Sequence, residues 1–196
     1  MGTALLSNSL PTDWKYLWSE ILQYLIGIVP PTAYAQRIAA FQRRWPTNET
    51  PWAVEPHITV KAQGGLTPDL AWMDPVTAVC AAFPRFVVVI TGPGYFGDAV
   101  VYLGIASGSI RELHQQLIEA TSPDAGLVER YFEGARYIPH LTLGQTTMGL
   151  TPSQLEEMGR EATGFLKPFP TFEVTSVRIY REVNNRYEPF RDVPLV

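Results

Sequence analysis

Two short stretches of the 196-residue chain carry side chains suited to proton transfer: Pro56-His57-Ile58-Thr59-Val60 and Pro139-His140-Leu141-Thr142-Leu143. Side chains of a β-strand alternate between faces, so His57 and Thr59 point one way while Ile58 and Val60 point the other. The same alternation sets His140 and Thr142 against Leu141 and Leu143. Two imidazoles facing each other suit in-line displacement at phosphorus: one takes the proton of the attacking oxygen and the other protonates the leaving oxygen. Histidine titrates near neutrality, and each such transfer contributes about 10²–10⁴-fold in rate. Threonine hydroxyls and backbone amides can hold the non-bridging oxygens where charge builds. One His-x-Thr-x strand would be commonplace, but these two use two of the chain's three histidines. Two histidines without a nearby pattern of Asp, Glu or Cys supply too few ligands for zinc, so neither metal nor cofactor is expected. The third histidine, His114, reads as a solvated surface residue.

The elements that must position these pairs are themselves repeated. After each pair comes Gly-Leu-Thr-Pro, eight residues beyond His57 and nine beyond His140. Phe83-Pro84-Arg85-Phe86 is echoed by Phe169-Pro170-Thr171-Phe172, and Leu25-Ile26-Gly27-Ile28 by Tyr102-Leu103-Gly104-Ile105. These correspondences define two copies of one unit, about 20–92 and 97–181. In the first, periodicity predicts a strand at 23–29, then a helix opened by a capping Thr32 with Tyr34, Ile38, Phe41 and Trp45 on one face. The His57 strand, a helix restarted at Asp74-Pro75 and a strand at 86–91 follow. The second predicts a strand at 99–106, a helix opened by Ser107 or Ser109, the His140 strand, a helix from Pro152 to about 163, and a strand at 172–180. Residues beyond 181 read as a return strand and tail, and residues 1–19, with Trp14 and Trp18, as an extension outside the repeat. The expected fold is α+β: a single bilobal domain over 1–196, with duplicated β-α-β-α-β units and small, mainly antiparallel sheets around a central groove.

Composition bounds what that groove can take. A chain of this size buries roughly 70% of the surface its unfolded form exposes and needs no disulfide or structural metal; with Cys80 its only cysteine it cannot form an internal disulfide. The net charge of -4 argues against a non-specific binder of long nucleic acid. No run approaches the ~18 apolar residues of a membrane span. The opening MGTALLSNSL lacks the charged and apolar regions of a signal peptide, which with the lone cysteine points to the cytoplasm. A monomer is expected.

At PHITV and PHLTL the chain resembles the 2H phosphoesterase superfamily, within it the 2'-5' RNA ligase and cyclic phosphodiesterase group, over about residues 20–195. The resemblance implies a metal-independent site between two lobes, with catalytic pairs at His57 and Thr59 and at His140 and Thr142. It also implies a substrate that is a small cyclic nucleotide or short oligonucleotide. Lys61, on the face of Thr59, is expected to set a cation beside the phosphate; a solvated lysine at the strand end is the alternative. Gln145 stands just after the second motif where relatives often carry a basic residue. Arg136 and Tyr137 are expected to line the groove, and Tyr95 and Phe96 to stack on a base; a hairpin turn is the alternative for that aromatic pair. Three functions remain open: hydrolysis of a cyclic phosphate or short oligonucleotide linkage, 2'-5' RNA joining or processing by the same residues, and non-catalytic nucleotide binding.

Overall fold

The computed structural model describes residues 23–196, so the expected N-terminal extension with Trp14 and Trp18 lies outside the described residues. The strands are β1 (Tyr24–Ile28), β2 (Ile58–Lys61), β3 (Phe86–Phe96), β4 (Val100–Ala106), β5 (His140–Gln145), β6 (Thr171–Val174), β7 (Ser176–Val183) and β8 (Arg186–Pro194). They form two four-stranded sheets, β2-β1-β7-β8 and β5-β4-β3-β6, in which every neighbouring pair is antiparallel. The α+β fold with two antiparallel sheets is as expected.

The distribution of strands between the sheets departs from the repeat boundaries. β3, the last strand of the first repeat, pairs with β4 of the second repeat. β7, at the end of the second repeat, pairs with β1 of the first. The single strand expected at 172–180 is divided: β6 ends on Val174 in one sheet and β7 starts at Ser176 in the other. The first repeat thus supplies two strands to one sheet and the second three to the other, and each lends its last strand to its partner's sheet. Alternation and apolarity identify a strand but do not choose its partner, and both exchanged strands are equally apolar on their inner faces.

The helices are exchanged as well. α1 (Thr32–Gln42) and α6 (Pro152–Leu166) pack together against the sheet that holds β5, whereas α3 (Met73–Ala82) and α4 (Ile110–Thr121) pack together over β2 and β8. α2 (Thr50–Ala53) and α5 (Ala125–Arg130) are single turns in the connections. α6 starts at a capping box in which Thr151 and Gln154 satisfy each other's backbone N–H groups. α1 has no such cap: Thr32 is its first helical residue, preceded by Pro31. Ile38 and Phe41 from α1, Leu113 and Leu117 from α4, and Leu141 and Ile58 from the histidine strands belong to one continuous core. This shared core fixes the two sheets relative to each other. It sets β2 and β5, each an edge strand of its sheet, side by side.

Candidate active site

An edge strand leaves one row of backbone carbonyls without a ladder partner, and buried carbonyls need donors. Here the donors come from neighbouring segments. On β5, Gln42 Nε2 donates to Thr142 O and Leu143 O, each at 3.2 Å, and Asn48 Nδ2 donates to Leu143 O at 3.2 Å. On β2, the Tyr137 hydroxyl donates to Thr59 O at 2.7 Å and His114 Nδ1 donates to Val60 O at 2.8 Å. The two strands are thereby held at fixed depth with their polar faces turned to a common cleft.

Both imidazoles are oriented in the same way. His57 Nδ1 lies 2.9 Å from Glu55 O, and His140 Nδ1 lies 2.7 Å from Ile138 O. A carbonyl can only accept, so Nδ1 carries the proton in each neutral ring and Nε2 is left with a lone pair for exchange. His57 Nε2 is 3.1 Å from Thr59 Oγ1, which donates to it. His57 leans on Tyr180, with ring centroids 5.4 Å apart, while His140 is flanked by the Phe96 ring at 4.9 Å and the Tyr102 ring at 5.3 Å. Burial pulls both imidazoles below the usual 6.5. For His57 the Glu55 carbonyl opposes that pull, and His140 lowers it slightly further. Both rings are therefore neutral in the unliganded protein at pH 7. An anionic phosphate placed between them would raise both, so that the substrate itself favours loading one ring with a proton.

The cleft has two chambers that share Thr59, His140, Thr142 and Gln145 as their common wall. The smaller, about 140 Å³, adds His57, Gln42, Thr50 and Met148. The larger, about 470 Å³ and mostly apolar, adds Phe96, Phe132, Tyr137, Ile138 and Arg136. The four motif residues, Gln145, Phe96, Arg136 and Tyr137 are thus brought together.

Other expectations are corrected. Lys61 is fully buried, and its ammonium is committed to Glu133, 3.1 and 2.9 Å from the two carboxylate oxygens, and to Gly64 O at 2.5 Å and Ala62 O at 3.0 Å. The residue lines the larger chamber, as expected, but its ammonium is held by these partners and is not a free cation. Tyr95 occupies the opposite face of β3 from Phe96, with its hydroxyl over Gly159 of α6, so it does not line the cleft. The Gly92–Phe96 segment is not a turn but the end of β3, and the turn follows at Gly97. His114 is only 2% exposed; besides holding Val60 O, it accepts from Gly134 N–H through Nε2 at 2.8 Å and stacks on Tyr137 at 3.8 Å. Arg136 lies over the Phe132 ring at 4.6 Å and 3.6 Å from Glu129.

Sequence reasoning did not find the outer supports. Glu55 accepts from Arg178 at 2.8 Å and from the Tyr180 hydroxyl at 2.9 Å, and Arg178 is also held by Asp192 at 2.6 and 2.7 Å. That network anchors the residue whose carbonyl orients His57. Glu133 accepts from Ala62 N–H at 2.8 Å as well as from Lys61, tying β2 to the segment that leads into β5. Among the described residues no group of three His, Cys, Asp or Glu side chains is arranged to hold a metal ion, and no helix is long and apolar enough to cross a membrane.

Paired His-x-Thr strands at the facing edges of two exchanged antiparallel sheets define the two-histidine phosphoesterase class. The family model for the 2'-5' RNA ligase superfamily matches residues 30–186, and the chain belongs to that superfamily, a superfamily of phosphoesterases. Solved structures agree on the fold. Escherichia coli LigT complexed with NADP+ is 16% identical with a TM-score of 0.59, covering 91% of this chain and 99% of that one. LigT complexed with 3'-AMP is 16% identical with a TM-score of 0.59, covering 90% and 99%. A Thermus thermophilus protein, TT0787, is 14% identical with a TM-score of 0.58, covering 88% and 97%. A search among curated proteins finds no match to the chain.

Proposed function

We propose that the protein is a phosphodiesterase that works without a metal ion, using His57 and His140 as general base and general acid on a cyclic phosphate or a short oligonucleotide linkage. The observation that carries this reading is the matched pair of imidazoles on one cleft, each with Nδ1 committed to a backbone carbonyl two residues upstream. Nε2 of one ring takes a proton from water as its oxygen attacks phosphorus. The protonated Nε2 of the other gives its proton to the departing sugar oxygen, so the P–O bond breaks without releasing an alkoxide. The Thr142 hydroxyl, and that of Thr59 once it turns from His57 Nε2 and frees the lone pair, donate to the non-bridging oxygens and stabilise the charge that builds there.

The ligands named for LigT, 3'-AMP and NADP+, support a small nucleotide as occupant of the cleft. With Lys61 consumed by Glu133, the cleft offers little to the run of phosphates in a long RNA, which weighs for hydrolysis of a small diester over RNA joining. The test is a turnover screen over 2',3'-cyclic nucleotides, ADP-ribose cyclic phosphate, 2'-5' oligoadenylates and cyclic dinucleotides. His57→Ala and His140→Ala are each expected to lower kcat/KM by at least ~10²-fold. Full activity in both variants would refute the reading, and tight nucleotide binding without turnover would make the protein a binding module.

A further inference from the structure

The catalytic cleft does not end at His57. Ala53 and Met148, which line the smaller chamber, also line an open shelf of about 470 Å³ that shares no residue with the apolar chamber. Trp52 stands on that shelf with 63% of its surface exposed, although it belongs to the short turn α2 just ahead of the His57 strand. Its backbone is pinned: Arg186 Nε donates to Trp52 O at 2.9 Å, and Arg186 lines the same shelf. Arg43 lines an adjoining hollow that Trp52 also lines. Glu49 and Glu188 balance these two cations. An exposed indole of this size on a fixed backbone, continuous with a phosphodiester site, is a stacking platform for a base. The balanced charges around it suit a base with one flanking phosphate, not a longer anionic chain.

We propose that Trp52 stacks the second base of a linear dinucleotide whose phosphodiester lies between His57 and His140 and whose first base fills the apolar chamber beside Phe96 and Tyr137. This rests on the phosphodiesterase reading and narrows it: the preferred substrate has a nucleoside on each side of the scissile phosphate. A cyclic mononucleotide would leave the shelf vacant.

The test compares KM for linear diadenosine phosphodiesters, 2'-5' and 3'-5' linked, with KM for 2',3'-cyclic AMP, in the unaltered protein and in the Trp52→Ala and Trp52→Phe variants. Loss of one base stack corresponds to about 5- to 150-fold. Trp52→Ala is therefore expected to raise the ratio of dinucleotide KM to cyclic-mononucleotide KM by that factor, and Trp52→Phe to restore most of it. An unchanged ratio overturns the proposal, as does a shift in sedimentation with KM unmoved, which would assign Trp52 to contact between copies of the chain. Calorimetric titration of the His57→Ala protein with the dinucleotide separates the two levels. Trp52-dependent binding without turnover by the unaltered protein sinks only the phosphodiesterase reading, whereas no binding of the dinucleotide sinks the platform.

Discussion

Replacing Lys61 by methionine separates a structural role for this lysine from a substrate-binding one. The side chain is 0% exposed and its partner Glu133 is 2% exposed. Its ammonium makes four contacts: both Glu133 oxygens, Gly64 O and Ala62 O. Methionine fills similar space but removes every one of these donors. Glu133 is then left buried with the Ala62 N–H alone, and Gly64 O loses its donor. Breaking a buried pair from one side costs about 3–5 kcal/mol. In a domain of this size each kcal/mol lowers Tm by about 2–4 °C, so a fall of about 6–20 °C is expected. Urea unfolding followed by circular dichroism gives the free energy directly, with an unchanged slope confirming that the unfolded state is the same. The double variant Lys61→Met, Glu133→Leu removes both charges and should recover at least half of the loss, since no uncompensated carboxylate remains. A loss below about 1 kcal/mol in the single variant would refute the structural account. Normal stability with lost turnover would return Lys61 to the phosphate.

Two further outcomes follow from the site. Because burial lowers both free imidazoles below 6.5, the general acid loses its proton early as pH rises, so kcat/KM should peak below pH 6.5. Bound anionic substrate raises both rings, so the kcat profile should be displaced to higher pH; a kcat/KM maximum above pH 7 would contradict the burial argument. Gly27→Ala would place a Cβ 3.0 Å from His57 Cδ2 and 3.2 Å from Ile58 O; since the backbone oxygen cannot give way, the imidazole must tilt. We expect about 10-fold or greater loss of kcat with about 1–3 kcal/mol of destabilisation, read by steady-state kinetics and thermal melts, and an unchanged kcat would show that His57 tolerates the displacement.

The histidine strands were legible because a two-residue alternation reports which face a side chain takes, and its repetition distinguished His57 and His140 from chance. The exchange of β3 and β7 was not, since their apolar faces would fit either sheet and only the packing of α1 with α6 and α3 with α4 selects between them. Lys61 was misread for a related reason: Glu133, its partner, is remote in sequence and reaches it only through the fold. His114 carried a usable signal. It lies four residues after Ile110 and three before Leu117, on the stripe that α4 buries, where an imidazole must find two partners or destabilise the helix. Glu55 gave none, because its role depends on Arg178 and Tyr180 from the far end of the chain.

The exchange of last strands also binds the two halves of the molecule to one fate. Severed in the turn between Phe96 and Val100, the N-terminal piece would hold β3 without β4 or β6, and the C-terminal piece β7 without β1. Neither could complete a four-stranded sheet alone, so the pieces would recover structure only by recombining. Bound in this way, the two halves are still not alike beside their motifs: Lys61 follows one and Gly144 the other.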